Sequence, residues 1–132
     1  MDRTVLIVDE DVNAQIIAET LLRLRGLQVR LAADGTQACD LVRTEDIAVV
    51  VLDLNSPGVN GFEFLRRLRG RFGPLSPRRQ PRILVITNRQ ASEVERFALR
   101  LGADAFLRTP LDPRRFVKTV EALVGSAAPQ AA

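Results

Sequence analysis

Acidic residues stand directly after two apolar segments of this chain, in a pattern that suits metal and phosphate chemistry. Asp9, Glu10 and Asp11 follow one Val- and Ile-rich segment, and Asp53 follows another. Because closely packed carboxylates repel one another, such a cluster favours a hard divalent cation. Mg²⁺ fits, since it binds one or two carboxylates, keeps several waters and leaves positions for phosphate oxygens. Helix capping is the alternative role, and it suits Asp11, which precedes a helical pattern.

Two further polar residues extend this candidate site. Asn55 lies two residues after Asp53, where its backbone carbonyl can serve as a neutral ligand, and Thr87 ends another apolar segment with a hydroxyl that can donate to a phosphoryl oxygen. An aspartate can itself accept a phosphoryl group as a covalent nucleophile. No GxxxxGK[ST] loop or cysteine nucleophile accompanies these residues, so an ordinary hydrolase or nucleotidase lacks parts.

The composition excludes several other kinds of site. The chain has 132 residues, of which 46% are hydrophobic and 27% charged, and this fits one globular domain. It contains no histidine, which excludes Ser-His and Cys-His pairs, His-ligated metals and a phosphohistidine of its own. The single Cys39 cannot form an internal disulfide, suits a reducing compartment, and is most simply a core residue.

Positive charge gives a weaker signal. Of the 19 basic residues 18 are arginine, and seven arginines occur between residues 66 and 82 without an acid (66, 67, 69, 71, 78, 79 and 82). Such a run is typical of a surface that binds nucleic acid or an acidic partner, but it also occurs in solvated loops. The loop is favoured, because only Phe72 is available for stacking and no helix-turn-helix remains. No apolar run approaches a membrane span or a signal peptide, so a cytoplasmic location is expected.

Apolar segments and helical patterns alternate along the chain. Short apolar runs predict buried strands at 4–8, 47–52 and 83–86, with weaker candidates at 27–32 and 105–107. Helical periodicity lies between them, at 12–25, 36–43, 62–69, 93–101 and 113–124. Five βα repeats require parallel pairing with right-handed crossovers. We therefore predict an α/β fold, a doubly wound five-stranded parallel sheet with helices on both faces.

The local patterns make further predictions. Ile16, Ile17, Leu21 and Leu24 form one stripe that should face the core. Asp112 should cap the last helix. Residues 70–82 should form an irregular connection, and the domain should cover 1–124, with 125–132 as a flexible tail or the start of a linker.

Four motifs stand in order at the predicted strand ends: VLIVDED at 5–11, VVLDLNSPGVNGFEFLRRLR at 50–69, VITN at 85–88 and LGADAFLRTP at 101–110. Together they resemble the receiver domain of two-component response regulators, over about residues 3–124. The resemblance implies a flavodoxin-like fold of the chemotaxis type. By position, Asp53 matches the phosphoacceptor, Asp9 and Glu10 the acidic pair that positions Mg²⁺, and Asn55 the residue whose carbonyl coordinates it.

The same resemblance assigns the switch residues and shows where this chain departs from the family. Thr87 matches the switch hydroxyl and Phe106 the switch aromatic. Phe106 has no hydroxyl, so a plain core phenylalanine is an almost equally good interpretation of it. The family carries a lysine before the proline of the last motif, where this chain has Thr109, so a charge-assisted contact to the phosphoryl group is lost. Arg108 does not replace it, because strand alternation turns it to the other face. The family's sharp turn implies a cis peptide bond between Thr109 and Pro110.

Three functions follow from these residues. The first is a receiver that accepts a phosphoryl group on Asp53 from a histidine kinase, a phosphotransfer protein or a small phosphodonor. The second, favoured by Thr109, is a degenerate receiver that binds proteins without phosphorylation. The third is a Mg²⁺-dependent phosphohydrolase, which lacks a cation for the phosphate and a general acid. By resemblance, the output surface is the fourth helix, fifth strand and fifth helix.

Overall fold

Five strands and five helices alternate along residues 4–55, 60–69, 80–88 and 92–126, which are the residues that the computed structural model describes. The strands are β1 (Thr4–Val8), β2 (Gln28–Ala32), β3 (Ile47–Asp53), β4 (Arg82–Thr87) and β5 (Ala105–Arg108). The helices are α1 (Val12–Arg23), α2 (Gly35–Thr44), α3 (Gly61–Arg69), α4 (Ser92–Arg100) and α5 (Pro113–Ser126). The predicted βα order is confirmed, with bounds that differ by at most two residues at either end of an element.

All pairings in the sheet are parallel, and the strand order is β2-β1-β3-β4-β5. The order reverses between β1 and β3, because the chain first adds β2 on one side of β1 and then places the later strands on the other side. Ligands of such sheets bind beyond the carboxyl ends of the strands near this switch point. The predicted doubly wound sheet is confirmed, and it brings the ends of β1 and β3 together.

The central strands are buried on both faces, which explains their continuous apolar sequence. Alternate residues enter two separate cores, so that Leu6 and Val50 pack with α2, α3 and α4. Val5 and Val49 instead pack on the opposite face with α1 and α5. Cys39 lies in the first of these cores, as predicted, and burial raises the pKa of its thiol.

The predicted core stripe of α1 is wrong for three of its four residues, and only Leu21 packs against the core. Ile16 and Ile17 are 52% and 62% exposed, and Leu24, which lies beyond the helix, is 78% exposed. The buried residues of α1 are Leu22 and Gln15, whose carboxamide donates to the carbonyls of Asp9 and Ala32. Apolar residues lie on several sides of α1, so their periodicity did not identify a single buried face. The hydrogen bonds of Gln15 favour the orientation that is observed.

The ends of several elements also differ from the predictions. The helix α1 ends at Arg23 instead of residue 25, and α5 continues to Ser126, so Gly125 and Ser126 belong to that helix rather than to a tail. Asp112 caps α5 as predicted, since its Oδ1 accepts from Arg114 N at 2.9 Å. Most of the predicted irregular connection and residues 127–132 lie outside the described residues.

Two arginines of the basic run have structural partners at the amino end of the sheet. Arg69 and Arg82 bind the two carboxylate oxygens of Asp104, at 3.0 and 3.4 Å. Arg82 also donates to the carbonyl of Ser126 at 3.1 Å, and Asp104 accepts from the backbone N–H of Ile83 at 2.7 Å. These contacts support the interpretation that this part of the run is not a nucleic-acid surface, whereas Arg71, Arg78 and Arg79 lie outside the described residues.

Candidate functional site

Backbone hydrogen bonds align the carboxyl ends of all five strands. Asp9 N donates to Ala32 O at 3.0 Å, Leu54 N to Ile86 O at 2.8 Å and Thr109 N to Thr87 O at 3.0 Å. Each bond continues a strand pairing one residue beyond the strand. The loops that carry the predicted site residues therefore start at the same edge of the sheet.

Asp9 and Asp53 form a carboxylate pair at this edge. Asp9 is only 6% exposed, whereas Asp53 is half-buried. The pKa of Asp9 is raised to about 7, chiefly by burial and in part by the neighbouring Asp53, through a side-chain hydrogen bond and charge repulsion. The backbone N–H of Asp11 donates to Asp9 Oδ1 at 2.9 Å, and this hydrogen bond lowers the pKa of Asp9. The pair thus shares a site that favours a proton or a cation.

Glu10 does not complete a three-carboxylate cage. Its side chain is exposed, and among the described residues no group of three acidic, cysteine or histidine side chains converges as a metal site. Asp11 instead caps α1, accepting from Asn13 N at 2.9 Å. Mg²⁺ commonly binds through one or two carboxylates and completes its shell with water and phosphate. The donor chemistry of Asp9, Asp53 and a backbone carbonyl therefore fits Mg²⁺.

Asn55 connects Asp53 to Thr87 in a way that the sequence did not indicate. Its backbone N–H donates to Asp53 Oδ1 at 2.7 Å. Its side-chain Oδ1 accepts from Thr87 Oγ1 at 3.0 Å and from Asn88 N at 3.1 Å. Thr87 is fully buried at the end of β4. The predicted acceptor and the predicted switch hydroxyl are thus joined through one intervening residue.

The start of α3 requires its glycine. Gly61 is buried, and a Cβ at this position would collide with Leu54 Cδ2. Asn60 has φ +50°, in the left-handed region, and its carbonyl accepts from Phe64 N at 3.0 Å. Asparagine tolerates this conformation better than most residues. The first residue of α3 therefore packs directly against the side chain of Leu54, one residue beyond β3.

Thr109 lies on the opposite side of the site from α4. The Thr109–Pro110 peptide bond is cis, as predicted. Thr109 lines an apolar cavity of about 300 Å³ between α1 and α5, together with Ile17, Leu21 and Phe116. Arg108 points to α4, where it lies 3.8 Å from Glu95, as the alternation of the strand predicts. No cation from this strand end therefore reaches toward Asp53.

Comparison with known proteins now identifies the architecture. A profile of the response regulator receiver domain matches residues 5–121. The chain belongs to the response regulator receiver family. Its fold is that of solved receiver structures, as the sequence predicted.

Three of the similar structures are bacterial receivers. A signal receiver domain from Bermanella marisrubri is 28% identical, with 94% of this chain and 99% of that chain covered and a TM-score of 0.83. The chemotaxis response regulator CheY4 of Vibrio cholerae is 27% identical, with 93% and 99% covered and a TM-score of 0.81. A response regulator from Chloroflexus aurantiacus is 26% identical, with 95% and 99% covered and a TM-score of 0.82.

The receiver's predicted switch aromatic packs against α4. Phe106 is half-buried beside the core of α2, α3 and α4, and the Arg108 guanidinium lies 5.8 Å from its ring centroid. On the neighbouring side of α4, Phe97 contacts Phe62 of α3 with ring centroids 5.0 Å apart. A cation over an aromatic face is attracted to it. Arg108 thus links Phe106 to Glu95 of α4.

Sequence reasoning missed two residues that shape the receiver's site, Gln15 and the side chain of Asn55. Gln15 is buried and joins the ends of β1 and β2 through their carbonyls. Gln15 directly precedes Ile16 and Ile17, and this apolar neighbourhood is the one sequence signal that could have marked it. Among the described residues no helix is long and apolar enough to cross a bilayer.

Proposed function

We propose that this receiver accepts one phosphoryl group on Asp53 and passes a signal through its α4–β5–α5 face. The observation that carries the proposal is the unequal burial of the carboxylate pair. Asp9 is enclosed at the end of β1, whereas Asp53 is half-buried and open to an incoming donor. The open member suits a nucleophile, and the enclosed member suits a fixed ligand.

The chain's own residues divide the work of phosphoryl acceptance. The Asn55 N–H holds Asp53 Oδ1 at 2.7 Å and leaves Oδ2 to attack phosphorus. The bond from phosphorus to the donor's leaving atom then breaks, and the leaving group departs with its electron pair. Asp9, Asp53 and the Asn55 carbonyl would hold Mg²⁺, and the exposed Glu10 would help to position it. Mg²⁺ offsets the repulsion between carboxylate and phosphate, on which this chemistry depends.

The phosphodonor must come from another molecule, because this chain contains no histidine. A phosphohistidine of a kinase or a phosphotransfer protein is the proposed donor. An exposed apolar face of α1 begins beside Asp11 and includes Val12, Ile16 and Ile17. Exposed apolar surface next to a reaction site suits a protein partner. We place the donor there, while α4, β5 and α5 carry the output.

Intact mass spectrometry tests this proposal. The protein is incubated with Mg²⁺ and a small acyl phosphate, with Asp53→Asn as the matched control. A stable gain of one phosphoryl group in the wild type, absent from the control, is expected. No gain in either protein would contradict the proposal and favour the degenerate receiver. Sustained release of phosphate by the wild type would favour the phosphohydrolase.

The degenerate receiver is a second candidate because of one observation. Thr109 stands at the family's lysine position and lines an apolar cavity, so it brings no charge to a phosphoryl group. Such a receiver would bind its partner through the same α4–β5–α5 face regardless of phosphate. Equal partner affinity of Asp53→Asn and wild type under phosphorylating conditions would support it.

A further inference from the structure

We propose that the Asn55 carboxamide is a latch on the switch hydroxyl. Its Oδ1 holds the Thr87 hydroxyl in the unphosphorylated receiver, and this bond must break before Thr87 can donate to a phosphoryl group. The inference rests on the proposed phosphorylation of Asp53. It gives a positioning role to a side chain whose expected contribution was its backbone carbonyl alone.

The orientation of the carboxamide follows from its two neighbours. The same side-chain atom of Asn55 lies 3.1 Å from Asn88 N and 3.0 Å from Thr87 Oγ1. A backbone N–H can only donate, so the atom that faces it is the carboxamide oxygen and not the nitrogen. This oxygen carries no proton. The Thr87 hydroxyl must therefore donate to it.

One proton makes the latched and released states mutually exclusive. A threonine hydroxyl has a single O–H donor. When Thr87 donates to Asn55 Oδ1, it has no proton left for a phosphoryl oxygen on Asp53. Because Thr87 is fully buried at the end of β4, water cannot readily replace either partner. The Thr87 hydroxyl can therefore donate either to the Asn55 carboxamide or to the phosphoryl group, but not to both.

The latch is connected directly to the acceptor. Asn55 N donates to Asp53 Oδ1 at 2.7 Å, so one residue holds the carboxylate with its backbone and the switch hydroxyl with its side chain. Charged phosphoryl oxygens are roughly twice as strong as acceptors as a neutral amide oxygen. Phosphorylation therefore favours release.

Binding of beryllofluoride with Mg²⁺, a mimic of the phosphoryl group, tests the latch. Asn55→Ala removes Oδ1 but keeps the backbone N–H and carbonyl. We expect its affinity for the mimic to rise about three- to tenfold, the effect of removing one neutral hydrogen bond from the unbound state. Asn13→Ala is the control, because it removes an exposed carboxamide from α1 and leaves the Asn55 contacts in place.

A double-mutant cycle shows whether the gain in affinity for the mimic depends on the Thr87 hydroxyl. In a Thr87→Val background, Asn55→Ala should leave the affinity unchanged, because no hydroxyl remains to be released. Without the mimic, Asn55→Ala should also increase hydrogen exchange at the Asn88 amide, which loses its acceptor. This second readout does not depend on phosphorylation.

The outcomes separate the latch from the proposed function. Phosphoryl addition to Asp53 with equal mimic affinities of wild type and Asn55→Ala overturns the latch alone. The same gain in the Thr87→Val background overturns it too, since the effect then does not involve the hydroxyl. If wild type neither gains phosphoryl mass nor binds the mimic, both proposals are overturned. A gain in the wild-type background that vanishes with Thr87→Val supports the latch.

Discussion

At the scale of single residues, burial divides two chemically identical carboxylates into different roles. Asp9 is enclosed, and its pKa rises to about 7, first because of burial and then because of Asp53. Asp53 is more open and has the Asn55 N–H as a hydrogen-bond donor. A cation or a proton between them relieves the repulsion. The site is therefore tuned for a cation before any phosphate arrives.

The raised pKa of Asp9 predicts a pH-dependent stability in metal-free protein. The folded chain keeps the Asp9 proton up to about pH 7, whereas the unfolded chain releases it near 3.8. Because the folded state binds more protons in this window, the free energy of unfolding contributed by Asp9 falls as pH rises from the lower value to the upper one. Asp9→Asn should therefore gain stability relative to wild type across that window, as measured by urea unfolding in EDTA.

Two controls accompany this measurement. Asn13→Ala, which removes an exposed carboxamide from α1, should leave the pH dependence of the wild type unchanged. Added Mg²⁺ should raise the stability of wild type at pH 8 and leave Asp9→Asn nearly unchanged. A difference between Asp9→Asn and wild type that stays constant from pH 4 to pH 8 would contradict the assigned pKa.

A second residue-scale prediction concerns Thr109. A charge-assisted hydrogen bond contributes about 1.5–3 kcal/mol, which corresponds to roughly a ten- to hundredfold change in a population ratio. Without a lysine, phosphorylation should shift the α4–β5–α5 face only partially, and Thr109→Lys should strengthen the shift. The measurement is amide chemical-shift change at Phe106 and along α4, with and without beryllofluoride. A wild type that already switches completely would show that the missing charge is not limiting.

At the scale of elements, α1 has an unusual distribution of apolar residues. Its inner side carries the buried amide of Gln15, and its outer side carries Val12, Ile16 and Ile17 in solvent. Monomeric proteins rarely leave such side chains together on one helix unless a partner covers them. The position of α1, directly after the acidic loop, puts this face within reach of a phosphodonor protein.

Ile17→Asp should separate protein donors from small ones. We expect the rate of transfer from a phosphorylated kinase to fall about tenfold or more, the effect of losing one central apolar contact at an interface. Phosphorylation by a small acyl phosphate should stay unchanged, because it needs no helix contact. Leu99→Asp makes the same change at an exposed position of α4 and should preserve transfer. An equal loss of phosphorylation rate with both donors would show that the substitution disturbs the phosphorylation site rather than the docking of the kinase.

At the scale of the whole molecule, the two ends of the sheet carry opposite arrangements of charge. The carboxyl end brings together the carboxylate pair of Asp9 and Asp53. The amino end holds Asp104 between Arg69 and Arg82, and through these arginines it joins α3, β4, β5 and the last residue of α5. The candidate phosphorylation site thus lies at one edge of the sheet, and the ion pairs that join its elements lie at the other.

Loss of the Asp104 carboxylate should destabilise the fold without affecting phosphorylation. Asp104→Ala should lower the free energy of unfolding by about 1–3 kcal/mol, because hydrogen bonds to charged groups are lost and Arg69 is left half-buried. The exposed pair of Asp40 and Arg43 is the matched control, and Asp40→Ala should cost only about 0.5 kcal/mol or less. Urea unfolding measures both. Similar losses in the two variants would mean that the Asp104 contacts are no stronger than surface pairs.

Much of the fold was predictable from local sequence. Apolar runs of strand length, separated by helical patterns, are enough to predict a parallel sheet, and acids after the first and third strands are enough to predict where chemistry occurs. The cap at Asp112 was predicted from its local pattern, whereas the cis bond before Pro110 was implied by the resemblance of the LGADAFLRTP motif to the receiver family. These features depend on residues close together in the chain, so the order of amino acids already contains them.

The tertiary structure decided which side chains meet across the chain. Asn55 and Thr87 are 32 residues apart, and Asp104 lies 35 residues from Arg69, so no local pattern indicates these contacts. The inner side of α1 was likewise settled by carbonyls on β1 and β2 that need the Gln15 donor, against the apolar periodicity of the helix. By itself the sequence determined the sheet and the positions of its acids. Burial and long-range hydrogen bonding, which exist only after the strands pair, decided which acid is enclosed and which residue holds the switch hydroxyl.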